Sequence, residues 1–375
     1  MAEYFTVCVL GLKRCRVLLK DHGDKLPPVS FELKPIIPHG YLRGMEGETH
    51  KKYRSILMRG IAPEAMEVHR DFYKSIIDHW IIPYSKLEHP TSEQYIQSLD
   101  RIAQSIMLHI FFGARLGTDY HKTLTDIYDK IWDEEWHFYT DDDQVAAYQE
   151  LRDTLLKQVE THQDNPDMSG SIMGRIHQAE ALDETILANM IYMVETGRFA
   201  VYSLMRWASK YGDDYPQAFT RIATDPNSMG KEQDCPAQAF VQETLRLNQT
   251  ERLLRHVRET FVFEGKLFPK GSIARLCLWE SHKNEELFPS PFEFNPQRFI
   301  DRKFTLDEFA PFGVGSHRCP LGTLSIQICR LYLFSLATQY KLEGIENGPP
   351  FRGVAHYEPA KEFRVKLYPL TDPES

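Results

Sequence analysis

A mainly helical fold with a smaller β-rich part is what the patterning of this chain predicts, and three observations carry that reading. Apolar residues recur at helical spacing over long stretches between Glu48 and Thr161. Leu253 to Cys277 is instead rich in Val, Phe and Leu and is broken by Gly265 and by Pro269-Lys270-Gly271, as short strands and turns are. The 375 residues, 42% hydrophobic and 26% charged, are enough to bury a large core. No repeat, low-complexity tract or long linker divides them, so one domain over 1–375 is expected. Its helix-rich core runs from about 48 to 250, and its β-rich part covers about 1–12 and 253–278.

Along the chain, Tyr4 to Leu10 alternates as a strand does, and Lys13 to Asp21 has a helical pattern. Helical spacing holds from Glu48 to Ile82, from Ser92 to Phe112 and from Asp142 to Thr161. Asp183 can accept N–H groups at the start of a long helix running towards Tyr211, which Gly212-Asp213-Asp214-Tyr215-Pro216 should stop. Pro236 to Leu247 makes another helix, and Gly322 to about Tyr340 a last one. The acidic runs Asp133-Glu134-Glu135 and Asp141-Asp142-Asp143 read as a solvated face.

Charge and cysteine usage exclude several function classes. A net charge of −9 argues against a general nucleic-acid binder. The six cysteines show no CxxC pair or regular spacing, so neither a disulfide framework nor a zinc site is signalled and a reducing, cytoplasmic setting is expected. The N-terminus has no basic region followed by a long apolar run, and no segment reaches the roughly 20 apolar residues of a membrane anchor.

The most informative stretch is Phe312-Gly313-Val314-Gly315-Ser316-His317-Arg318-Cys319, within a loop at 311–322 that leads into the last helix. Backbone N–H groups of a tight glycine loop and the positive end of a following helix dipole both favour a thiolate, and a thiolate can bind a metal. A lone cysteine in such a place is more often an ordinary thiol in a turn. Cys319 is not alone: Glu243-Thr244-Leu245-Arg246 places an acid and a base at i,i+3 of one helix, and Phe294-Asn295-Pro296-Gln297-Arg298-Phe299 lies between that helix and the loop.

Together these segments resemble the cytochrome P-450 family of haem-thiolate monooxygenases, in its ExxR helix, its PxRF segment and its FxxGxxxC loop. The resemblance covers most of the chain. It implies haem b with Cys319 as the iron ligand. It implies that Phe312 packs against the haem and that Glu243, Arg246 and Arg298 form a buried structural network. His50 and Arg54, at i,i+4 on one helical face, together with Arg255 and His317, stand where partners of the two propionates are expected. One departure lies beside the ligand: the family has glycine two residues after the cysteine, whereas Gly322 comes one place later, behind Pro320 and Leu321.

A second departure concerns the central helix, where the family carries an acid and an alcohol that organise water for proton delivery. With Trp207 and Pro216 as anchors, Thr196-Gly197-Arg198-Phe199-Ala200 falls on that motif. Gly197 fits the expected break in the helix, but Phe199 replaces the acid and Ala200 the alcohol, and alanine relays no proton. Glu195, one turn before Phe199, is a candidate replacement for the acid. Arg198 invites comparison with a substrate-binding arginine of peroxide-using relatives, or it simply pairs with Glu195 at i,i+3.

The reading is therefore a monooxygenase that hydroxylates or otherwise oxidises a small organic substrate with substrate-assisted proton delivery. The alternatives are a peroxide-using or non-oxygenating enzyme of coupling, rearrangement or dehydration, and a haem-binding protein without catalysis. A ferredoxin- or flavodoxin-type donor is the expected electron source unless peroxide serves, with Lys303, Arg318 and Arg330 as basic residues near the loop. The missing anchor resembles the soluble bacterial type, while the short N-terminus before the segment Val7 to Asp24 is a further departure from the family. The loops at about 40–47 and 112–143, where substrate contacts are expected, carry no recognisable chemistry.

Overall fold

The computed structural model describes residues 5–29, 40–61, 69–131, 142–230, 235–248, 253–352 and 357–370. In chain order the helices are α1 (Leu12–His22), α2 (Gly47–Gly60), α3 (Arg70–Ser85), α4 (Ser92–Phe112), α5 (Asp119–Ile131), α6 (Asp142–Thr161), α7 (Pro166–Gly170) and α8 (Ile172–Gln178). They continue with α9 (Glu184–Asp214), α10 (Pro216–Thr224), α11 (Pro236–Leu247), α12 (Leu278–Ser281), α13 (Gln297–Asp301) and α14 (Gly322–Gln339). The strands are β1 (Thr6–Leu10), β2 (Leu253–His256), β3 (Phe261–Phe263), β4 (Lys266–Phe268), β5 (Ile273–Cys277), β6 (Tyr340–Ile345), β7 (Phe351–Arg352), β8 (Tyr357–Glu358) and β9 (Arg364–Pro369).

The helices follow the periodicity closely. Asp183 caps α9, its carboxylate accepting the Ile186 N–H at 2.8 Å. The helix ends at Asp214, within the expected stop at 212–216, and Pro216 opens the next helix. The β-rich part extends beyond the expected range, because β6 pairs with β9 and β7 with β8 in two antiparallel ladders near the C-terminus. Strands β7 and β8 are two residues each, too short for alternation to mark, whereas β6 (Tyr-Lys-Leu-Glu-Gly-Ile) and β9 (Arg-Val-Lys-Leu-Tyr-Pro) do alternate, a signal that the expected range leaves out. The acidic residues 133–135 and 141, and most of the expected substrate loop at 112–143 beyond Ile131, lie outside the described residues.

The described chain groups into two compact units. One unit takes residues 1–29, 77–99 and 201–375. In it β5 lies between parallel β1 and antiparallel β2, and the sheet covers a core of Val9, Leu12, Leu18, Leu253, Phe261, Phe268, Leu276, Ala310 and Val314. Helix α14 is buried nearly all round and packs against α10 and α11. The other unit takes residues 30–76 and 100–200 and includes α2, α5, α6, α7 and α8, with α5 packed on α6 and α2 on α8.

Candidate active site

The loop before α14 is built around the backbone geometry of its glycines. Gly313 and Gly315 have φ of 89° and 78°, the left-handed region that side chains disfavour, and a Cβ on Gly315 would also sit 3.1 Å from Leu19. The turn brings the Cys319 N–H to the Phe312 carbonyl at 2.9 Å. Cys319 is half-buried and lies two residues before Leu321, the N-cap of the 18-residue helix α14. Gly322 opens that helix, and a Cβ there would meet the Phe312 ring at 2.8 Å. The glycine one place late therefore has a task of its own, to let the helix start lie against Phe312. His317 is half-buried beside Ser316, and Arg318 is exposed.

Behind the loop stands a network of buried charge. Arg246 donates through Nε and Nη2 to both oxygens of Glu243, at 2.6 and 2.8 Å, with both side chains fully buried. Arg298 Nε reaches the same carboxylate at 3.1 Å, and the Asn295 N–H at 2.9 Å. The remaining donors of Arg246 hold the carbonyls of His282, Pro291 and Glu293. A carboxylate this deep in the protein is tolerable because two guanidiniums and a backbone N–H satisfy it.

His282, which the sequence did not single out, carries that network to the loop. Arg246 grips its carbonyl, and its Nε2 accepts the Ala310 N–H at 3.0 Å. Burial and the neighbouring Lys283 and Arg246 charges lower its pKa well below the ordinary value, so the ring is neutral and Nε2 is free to accept. The signal was weak: a histidine followed by lysine in a turn has no motif.

Among the candidate propionate partners of this unit, Arg255 lies in β2 opposite Ala274 and is only 3% exposed. In the other unit, His50 and Arg54 share a face of α2; His50 is 3% exposed and Arg54 half-buried. Arg330, expected as a surface charge, is buried instead. It donates to the Gly230 carbonyl at 2.7 Å and contacts Cys235 Sγ at 3.2 Å, because α14 is packed on all sides.

The central helix α9 passes through Gly197 without the expected break. A single glycine costs only about 1 kcal/mol of helix propensity, and an ion pair spans the same turn. Arg198 Nη2 donates to Glu195 at 2.7 Å and Nη1 to Asp100 at 3.1 Å. Arg198 is thus committed within the protein. Glu195 is 2% exposed, and its second oxygen has no hydrogen-bond partner among the described residues. Burial raises its pKa to about 7 despite Arg198. Phe199 and Ala200 are half-buried.

The donor set fits a haem. One soft sulfur donor, Cys319, stands at the start of a long helix, and a buried guanidinium of the kind propionates require, Arg255, belongs to the same unit.

Comparison with known proteins agrees. The family model described as Cytochrome P450 matches residues 236–352. Abscisic acid 8'-hydroxylase 1 of Arabidopsis thaliana is 26% identical over 55% of this chain and 48% of its own length. Ent-kaurenoic acid oxidase 2 of the same plant is 20% identical over 98% and 81%. The fold of the retinoic acid bound cyanobacterial CYP120A1 superposes with a TM-score of 0.76 at 17% identity, covering 98% of this chain and 90% of that one. The chain spans about half the length of the curated relatives it matches first. The stretch 236–352 is thus similar to the cytochrome P450 family, and the chain shares the fold of that solved neighbour. No helix among the described residues is long and apolar enough to cross a membrane.

Proposed function

We propose that this chain is a monooxygenase in which Cys319 ligates the haem iron, oxidising a small organic molecule, with abscisic acid and ent-kaurenoic acid, taken from its relatives' names, as the first compounds to try. The observation that carries this is the half-buried Cys319 on a glycine loop, tied through Ala310 and His282 to the Glu243–Arg246–Arg298 network. When bound, the haem supplies oxygen activation and the oxidising power. The chain's own task is to hold the thiolate with backbone N–H groups, to pair propionates with His50, Arg54, Arg255 and His317, and to manage protons.

Proton management follows from α9. Ala200 leaves no hydroxyl, so a substrate hydroxyl takes that place, and Glu195, whose carboxyl pKa burial raises to about 7, is the proton donor on the same helix. The 1–375 chain acts as one catalytic domain, in a reducing compartment that suits its six free thiols, with a ferredoxin- or flavodoxin-type donor meeting exposed Lys303 and Arg318.

The test is spectroscopic. The reduced protein with carbon monoxide shows the thiolate-type band, and Cys319→Ser removes it while far-UV circular dichroism stays helical, since a hydroxyl is a poor soft donor. An unchanged band in the variant would mean another ligand.

The missing acid and alcohol at Phe199 and Ala200 favour a second reading, a peroxide-using enzyme. Product per electron and per peroxide consumed separates the two. A peroxide enzyme turns over with hydrogen peroxide and gains nothing from reductase, whereas in the monooxygenase Ala200→Thr improves coupling for substrates that lack a hydroxyl.

A further inference from the structure

Tyr73 and His109, both buried, and the half-buried Asp167 form a hydrogen-bonded array that the proposed reaction does not use. Tyr73 Oη on α3 lies 3.1 Å from His109 Nδ1 on α4, and His109 Nε2 lies 3.2 Å from an oxygen of Asp167 on α7. A carboxylate only accepts, so Nε2 carries the ring proton and Nδ1 accepts from the phenol. Tyr73 is 1% exposed and His109 4%. Arg115 donates to the same Asp167 oxygen at 3.2 Å and stacks over Phe72, while the Phe72 and His69 rings pack on His109. These groups, with Arg175 acting on Tyr73 through its charge, are the ionisable and aromatic surroundings of the array.

Two consequences follow from burial. It lowers the His109 pKa from the ordinary imidazole value, so the ring is a neutral base at pH 7. It also raises the Tyr73 phenol, so that group does not ionise unaided. A phenol held in this way loses its proton only when an electron leaves with it, because oxidation makes it a strong acid. The acceptor is already in place. Buried Tyr84 and Tyr128 lack this arrangement: their hydroxyls donate to the carbonyls of Val365 and Ile191, which take up no proton.

We propose that Tyr73 is a redox-active tyrosine, with His109 as the base that receives its proton and Asp167 as the acceptor that stabilises the resulting imidazolium. A high-potential one-electron oxidant removes one electron from the ring and is itself reduced by one. The phenolic proton moves to His109 Nδ1, leaving a neutral tyrosyl beside an imidazolium–carboxylate pair. An external reductant such as ascorbate returns the electron, and the proton goes back. The natural oxidant would be the oxidising equivalent left when peroxide meets the haem protein, which rests on the function proposed above; the test does not depend on it.

The purified holoenzyme is flashed with a ruthenium tris-bipyridine photo-oxidant and a sacrificial electron acceptor, frozen, and read by electron paramagnetic resonance. The expected result is a tyrosyl signal that Tyr73→Phe removes and that His109→Gln, whose amide accepts no proton, strongly reduces at unchanged helical circular dichroism. In the parent protein the yield falls as acidification protonates His109. A signal that survives Tyr73→Phe, or one equally strong in His109→Gln, overturns the assignment. Should Tyr73→Phe fail to fold, the acid series on the parent decides, and a yield independent of pH overturns it.

Discussion

Glu195 shows how one buried side chain couples the central helix to pH. In the unfolded chain its carboxyl titrates near the ordinary 4.5 and in the folded one near 7, with burial the larger cause and Arg198 opposing it. A raised folded pKa means that the native state binds more protons, so the group's contribution is fully present below the unfolded pKa and is lost as pH rises through the folded one. Between about pH 4.5 and pH 7 the parent should therefore lose about 1 to 3 kcal/mol of unfolding free energy relative to Glu195→Gln. Urea unfolding of both proteins across that window measures it. The glutamine keeps the shape, and Arg198 retains Asp100 as its partner, so the variant should fold. Parallel slopes for the two proteins would show that folding leaves the Glu195 pKa unshifted.

At the scale of elements, α11, the His282 turn and the cysteine loop form one mechanical chain. The link runs from Glu243 through Arg246 to the His282 carbonyl, and from the His282 ring to the Ala310 N–H just before the loop. Removing the carboxylate leaves two arginines facing each other without their acceptor, one of them fully buried. Glu243→Ala should cost about 3 to 5 kcal/mol of stability. It should also collapse haem incorporation, read as the ratio of haem to protein absorbance. A variant that takes up haem like the parent would show that the loop holds its shape unaided.

For the whole molecule, a net charge of −9 makes local basic residues decisive for an acidic electron donor. Lys303 and Arg318 are exposed, whereas Arg330 is withdrawn into the packing of α14. Reduction by an acidic ferredoxin should slow as salt rises, and Lys303→Glu or Arg318→Glu should reduce both the rate and its salt dependence. Arg330→Gln should act instead through stability, which a thermal melt separates from a docking defect. A reduction rate indifferent to salt and to both surface variants would place docking elsewhere.

The elements and the cysteine loop were legible in the sequence because local rules specify them. Helical spacing marks α4, α6 and α11 at the boundaries observed, Asp183 announces the start of α9, and glycines at 313 and 315 announce backbone that only a tight turn requires. The motif residues Glu243, Arg246, Arg298 and Cys319 were named through a family resemblance instead, since no local rule says that side chains 55 residues apart meet. Other features depend on what long-range packing places opposite a residue. The histidine that joins the buried charges to the loop, the burial of Arg330, the commitment of Arg198 to Asp100 and the pairing of β6 with β9 all involve partners far along the chain. A side chain's burial and its hydrogen-bond partner are properties of that packing, so only the tertiary structure decides whether a given arginine is a surface charge or a brace, and whether a given histidine titrates.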